Sequence, residues 1–289
     1  MNTNNFFEKV PYNNRSFPIY IGKGFSPFFP DEKSHNNWHE DIEFVGILSG
    51  DICYNINGKV ITLKEGDGLF INSRQIHYNF SKDNSGCVFI CMAFQPMLLC
   101  HSKKTEEKYI TPILTNPALP YYVFHSDTEW ERSVIENILK IYECQEEEYF
   151  ELKLHSLFFE IWAEIYAHLS NRKKSAPSQN HDISALKDML SYIQLHHKEK
   201  ITLYDIANSA GICKTSCHTI FKKYTGRTPV EYLNYYRLQK SIELIKASDM
   251  TLTQICYEAG FSGASYYSEC FRKSFGCSPS EYKKMTGNN

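Results

Sequence analysis

Thr202-Leu203-Tyr204-Asp205-Ile206, running on to Ala210-Gly211-Ile212-Cys213, returns 49 positions later as Thr251-Leu252-Thr253-Gln254-Ile255 and Ala259-Gly260-Phe261-Ser262. The echo continues at an offset of 50. Phe221-Lys222-Lys223, Gly226, Thr228-Pro229 and Glu231-Tyr232 are answered by Phe271-Arg272-Lys273, Gly276, Ser278-Pro279 and Glu281-Tyr282. The change of offset falls just after the Ala-Gly turn, where a loop or helix start absorbs one residue without disturbing packing. The end of the chain is one supersecondary unit written twice.

Each copy reads as helix, turn, helix, over 202–226 and 251–276. Thr251 with Gln254 fits a capping box, and Thr202 with Asp205 a weaker form of it. Leu203, Ile206, Ala207 and Ala210 make one side of the first helix apolar, and Gly211 stands at the turn, where a positive φ is needed. The second helix runs from near Cys213 to Gly226, a C′ glycine by position. Helical spacing groups Cys213, Cys217, Ile220, Phe221 and Tyr224 on one face and Thr215, His218, Thr219 and Lys222 on the other. In the second copy it turns Ser265, Ser268, Glu269 and Arg272 outward and Tyr267, Cys270, Phe271 and Ser274 inward. The apolar faces must be core, so the polar faces are what the domain offers a partner. Short polar faces followed by basic residues suit helices that enter the DNA major groove.

Before the first copy, Ile183, Leu186, Met189, Leu190 and Ile193 mark another helix. Between the copies, Pro229 opens a helix of about eighteen residues to roughly Ala247, about 27 Å at 1.5 Å per residue. One DNA turn is about 34 Å. This helix would therefore set the distance between two reading helices.

The C-terminal region, 181–289, resembles the DNA-binding domain of the AraC/XylS family of transcription regulators. The match is carried by Asp205-Ile206-Ala207, Ala210-Gly211, Phe221 through Gly226, Thr228 through Tyr232, Arg237-Leu238, Gly260-Phe261-Ser262 and Phe271 through Tyr282. The resemblance implies that both second helices enter successive major grooves on one side of the duplex, with Thr215, His218, Thr219, Ser265, Ser268 and Glu269 facing bases. Glu269 departs from the family, which usually has Arg there; a carboxylate repels phosphate but accepts from cytosine N4.

Net charge is −2, unusual for a DNA binder until the chain is divided. Residues 181–289 hold 14 basic and 10 acidic side chains, net +4, which leaves 17 and 23, net −6, for the rest. The basic character concentrates at Lys214, Lys222, Lys223, Arg237, Arg272 and Lys273, the expected phosphate contacts.

From about Ile19 to Pro96 the texture is strand-like. Ile42–Leu48, Asp51–Ile56, Lys59–Leu63, Gly68–Ile71 and Val88–Phe94 are short, β-branched or aromatic runs punctuated by turn residues. Asn57-Gly58 between two of them signals a hairpin. Short strands with tight turns and no intervening helices indicate a barrel or jelly roll, whose interior is a natural small-molecule cavity. The segment resembles the cupin domain that precedes the DNA-binding part in many AraC-family regulators. His39, Glu43, Gly50, Gly66 and His77 follow the order of the two cupin motifs, while Asn37, Asn72 and Arg74 replace a histidine, a proline and a glycine. Three ligand-type residues remain. His39, Glu43 and His77 could hold iron or zinc, contact an organic effector, or bond only one another; Trp38 and Tyr54 join them as candidate effector contacts.

Val134 through Tyr142 and Leu152 through Leu169 recur at helical spacing. They predict two amphipathic helices that cover the barrel and, by the family resemblance, form a dimer interface. The polar, proline-bearing stretch over 171–180 is the expected linker. The fold expected is α+β and multidomain: a cupin-like β-barrel over 1–126, covering or dimerising helices over 127–170, a linker over 171–180 and an all-α domain over 181–289.

No apolar run approaches a membrane span, and the polar N-terminus lacks a signal-peptide core. Ten cysteines without paired short spacings fit reduced thiols. The expectation is a cytoplasmic, non-enzymatic, homodimeric regulator of transcription with no required cofactor. It would bind double-stranded DNA and a small-molecule effector and, as family members do, act as an activator through RNA polymerase. The alternatives are an effector-independent regulator whose barrel is a dimerisation scaffold, and a metal-dependent cupin enzyme fused to a DNA-binding domain.

Overall fold

The computed structural model describes residues 10, 12, 17–25, 39–81, 86–100, 102–171 and 181–286. Residues 7–179 make one compact unit and 180–289 the body of another.

The first unit is a sandwich of antiparallel sheets. Its strands are β1 (Ile19–Phe25), β2 (Ile42–Ser49), β3 (Ile52–Ile56), β4 (Lys59–Leu63), β5 (Gly68–Ile71), β6 (His77–Phe80), β7 (Val88–Phe94) and β8 (Tyr121–Phe124). The larger sheet has the order β1-β7-β2-β5-β8 and the smaller β4-β3-β6. Asn57 and Gly58 both take positive φ, 51° and 83°, as a two-residue hairpin turn of this hand requires. β2 sits mid-sheet and is apolar on both sides. Phe44 joins Phe70, Met92 and Phe94 in one cluster, while Val45 and Ile47 join Tyr54, Leu69 and Ile71 in another. The second cluster fills the space between the sheets. Much of the interior expected to be a cavity is therefore packed side chain.

The first cluster is the outer face of the larger sheet, covered by helices. The short helices α1 (Lys103–Thr105) and α2 (Thr111–Leu114) flank a π-helical turn, and the long ones are α3 (Glu129–Glu143) and α4 (Phe150–Leu169). Val134, Ile138, Phe158, Ile161 and Trp162 pack with Phe44, Phe70 and Phe94. The Phe94 and Phe158 ring centres are 3.9 Å apart. α3 lies close against the strands, for a Cβ on Gly68 would come within 3.0 Å of Ile135 and one on Gly46 within 3.2 Å of Ile138. The two helices expected to cover or to dimerise spend most of their apolar stripes on their own sheet, while Leu152, at the start of the second stripe, is 75% exposed. Asn72, standing where the cupin motif has proline, donates through Nδ2 to the carbonyls of Ile113 and Leu119, 2.9 Å each. It fastens the α1–α2 segment to the end of β5.

The second unit is all helical: α5 (His181–His196), α6 (Leu203–Ser209), α7 (Lys214–Thr225), α8 (Pro229–Ala247), α9 (Leu252–Glu258), α10 (Ala264–Phe275) and α11 (Pro279–Thr286). Reciprocal capping boxes open α6, α8 and α9 through Thr202/Asp205, Thr228/Glu231 and Thr251/Gln254. Ser278 and Glu281 exchange the same two hydrogen bonds at α11. Gly226 and Gly276 end α7 and α10 with φ of 68° and 71°, the left-handed cap that glycine makes without a Cβ penalty. α8 packs against α7 and α10 alike. Among the described residues no helix is long and apolar enough to cross a membrane.

Candidate nucleic-acid interface and barrel site

α7 and α10 place their residues much as a wheel predicts, with Cys270 and Ser274, expected inward, only half-buried and one outright exception. Cys217, Ile220, Phe221 and Tyr224 are buried in α7, and Tyr267 and Phe271 in α10. Thr215, His218, Thr219, Ser265 and Glu269 are exposed, and Ser268 is half-buried. Cys213 is the exception: it precedes the helix as its N-cap and is exposed, because a residue with extended backbone at that position leaves the 3.6-residue periodicity. The Ser216 hydroxyl at 3.3 Å leads the interactions that lower its thiol pKa.

Of the expected phosphate contacts, Lys214, Lys222, Lys223, Arg272 and Lys273 are exposed on α7 and α10. Lys222 lies 3.6 Å from Glu231 and Lys223 3.2 Å from Asp182, surface pairs whose partners a phosphate can replace at small cost. Arg237 is different. Its Nε and Nη2 donate to the carbonyls of His197 and Glu199, both at 2.8 Å. These carbonyls belong to the turn that follows α5. Arg237, half-buried, serves the frame of the domain through these two bonds, whereas the other five lie open to solvent.

In the barrel, three of the expected residues converge. His39 precedes β2, Glu43 lies on β2 and His77 begins β6, and one ligand atom from each falls within 4.8 Å of the others. His77 Nε2 is 3.0 Å from Glu43 Oε2, and His39 Nε2 is 3.6 Å from the same oxygen. All three are buried. His39 Nδ1 is 3.2 Å from the Asp41 carbonyl and His77 Nδ1 3.0 Å from the Gln75 carbonyl. A carbonyl only accepts, so both Nδ1 atoms carry the proton and both Nε2 atoms turn toward Glu43. Burial alone would push the Glu43 carboxyl up, but His77 and His39 outweigh it and hold it below the usual carboxylate range. Burial alone would pull the His39 pKa down, and Glu43 and Asp41 reverse that.

The donor set fits a divalent ion. Two imidazole Nε2 atoms oriented by backbone carbonyls and one ionised carboxylate are the ligands such a site takes; the two carboxylate–imidazole separations, 3.0 and 3.6 Å, are near the roughly 3–3.5 Å between atoms on one coordination sphere with bonds of about 2.0–2.2 Å, and within the 4.8 Å spread of the set the imidazoles would close further on an ion. Tyr54 is buried close by, its phenol pushed well up by burial and then by Glu43. Trp38 and Asn37 lie outside the described residues. The residue motif reading missed is Cys91, on β7, whose thiol burial and Glu43 push well above its ordinary pKa. β7 is apolar along its whole length, so only the pairing of Glu43 with Ala93, two residues on, shows which face Cys91 takes. Arg74, where the cupin motif has glycine, sits at φ 64°, the backbone conformation that explains a glycine there.

Residues 206–285 match the helix-turn-helix domain family and residues 28–93 the cupin domain family. The chain is 32% identical over 253 residues to YdeC of Bacillus subtilis, described as an uncharacterized HTH-type transcriptional regulator, covering 86% of each protein. It is 24% identical over 279 residues to the HTH-type transcriptional activator RhaS of Mannheimia succiniciproducens, covering 94% of this chain and 96% of RhaS. A crystal structure of ToxT from Vibrio cholerae superposes on 94% of this chain and 99% of its own at 16% identity, with a TM-score of 0.47.

Proposed function

The chain belongs to the AraC-type family of helix-turn-helix transcriptional regulators and is a DNA-binding regulator; on that premise we propose that α7 and α10 read successive major grooves of one operator, under control of a ligand in the barrel. The observation that supports this most is the matched pair of helices on one frame. Each buries its aromatic side on the unit's core, presents hydroxyl, imidazole or carboxylate side chains outward and ends in two basic residues. Thr215, His218 and Thr219, then Ser265, Ser268 and Glu269, meet base edges; Lys214, Lys222, Lys223, Arg272 and Lys273 meet phosphates. The chain acts as a homodimer and activates through RNA polymerase, in keeping with the activator name of RhaS. A ligand changes DNA occupancy only by its differential affinity for two arrangements of the protein.

The effector site is the buried His39, Glu43 and His77 group, with Tyr54 beside it. A second reading follows from the shared direction of the two Nε2 atoms: the group holds a divalent ion, which would supply a fixed positive charge between sheets. Selection from random duplex with the full-length chain tests the first reading, expected to yield a two-part consensus; enrichment of none would overturn it. Thermal-shift screening with metabolites and with Zn²⁺ or Co²⁺ tests the barrel. A shift with a metabolite that His77→Ala abolishes supports an organic effector, and a metal-only shift the second reading.

A further inference from the structure

Gly211 and Gly260 hold the same place in the two copies and both take left-handed backbone, φ 64° and 95°. Their surroundings differ. A Cβ added at Gly211 would meet nothing within 4 Å, whereas one at Gly260 would collide with the His197 carbonyl oxygen and lie 3.0 Å from Arg237 Nε. The segment that roofs Gly260, residues 197–200, joins α5 to α6 and so belongs with the first copy.

Several interactions from different elements converge there. Arg237, from α8, holds the carbonyls of both His197 and Glu199, and its guanidinium carbon stands 6.0 Å from the Phe261 ring centre. The His197 ring meets Tyr236 edge-on at 5.1 Å. Lys198 Nζ lies 2.8 Å from Glu258 Oε2. A connecting helix by itself fixes a distance and leaves rotation about its ends. A contact away from the helix axis removes that freedom, and a guanidinium holds two carbonyls in one rigid planar fork, which an ammonium lacks.

We propose that Arg237 is a positioning residue: by clasping 197–200 onto the Gly260 turn it fixes α10 relative to α7, so the protein accepts operators of a single spacing. This rests on the reading that both helices bind one duplex. Two linked modules gain about 10²–10⁴ over either alone when geometry lets both engage. Loosening the clasp forfeits part of that gain and the spacing requirement with it, and leaves each module's own contacts intact.

The test uses the full-length chain, its selected duplex, versions with one and two base pairs inserted between the two parts, and duplexes carrying one part alone, read by fluorescence anisotropy. Wild type is expected to lose affinity with each insertion. Arg237→Ala should bind the selected duplex about tenfold or more weakly, a loss within that linkage gain, bind the single parts as wild type does, and barely distinguish the spacings. Gly260→Ala should reproduce this from the other side of the contact, and Arg237→Lys should fall between; these two decide the matter if circular dichroism finds Arg237→Ala unfolded. Wild-type spacing dependence in Arg237→Lys and Gly260→Ala, or equal losses on single and paired parts, would overturn the positioning role. A wild-type chain that selects no duplex would overturn the groove-reading proposal, and this one with it.

Discussion

Glu43 and His77 come from different sheets and meet across the sandwich at 3.0 Å between Oε2 and Nε2, with 4% and 2% of their surfaces exposed. Removing one member of a buried pair strands the other, at a cost of about 3–5 kcal/mol. Glu43→Ala should lower the unfolding free energy of the 7–179 unit by about that amount, seen in calorimetry as an earlier transition. An unchanged transition would show that the pair adds nothing to the barrel.

The caps give the helical unit an acid limit. Asp205 is held below its ordinary pKa chiefly by the Thr202 hydroxyl, and Glu231 and Glu281 by the backbone amides of Thr228 and Ser278. A depressed carboxylate contributes stability above its unfolded pKa, near 4, and that contribution is lost as pH falls through the lower folded value. Gln254 fills the same position at α9 and does not titrate. Far-UV dichroism should show the helices weakening below about pH 4, with a shallower acid limb in a protein carrying Asp205→Asn, Glu231→Gln and Glu281→Gln. An identical acid limb would remove the caps as its cause.

His218 and Lys222 stand on the same exposed face of α7 with different tasks. His218→Ala should relax preference at particular base pairs by about 1–3 kcal/mol. Lys222→Ala should weaken all duplexes alike and reduce the slope of log affinity against log salt by about one. Equal losses on operator and random duplex for His218→Ala would take it out of the base-reading set.

Gln239 lies within α8, the helix between the two readers. Gln239→Pro removes an amide donor and clashes with the preceding turn, costing about 3 kcal/mol or more. Binding to the selected duplex should vanish while melting of the 7–179 unit stays where it was. Retained tight binding would mean that α8 need not be continuous.

What could be read from the chain was local. The Thr251/Gln254 box, Gly226 as a cap and Asn57-Gly58 as a hairpin each depend on neighbours within a few residues. His39, Glu43 and His77 were legible because a recurring motif spaces them. The part Arg237 plays in the frame was not legible because its partners lie 38 and 40 residues away, and its charge alone points to phosphate. β8 is four residues after Pro120 with no alternation, and so carries no local strand signal. A helical wheel carried one residue past the start of α7 turns Cys213 inward, where the extended N-cap backbone does not.

The roof over Gly260 has a consequence for how the two halves of the duplication age. At the first turn an added Cβ meets no neighbour and faces only a backbone penalty, which asparagine meets cheaply; at the second it must also evict a carbonyl. Drift should accumulate at position 211 and stall at 260, so that two descendants of one ancestral bend now differ in their freedom to vary.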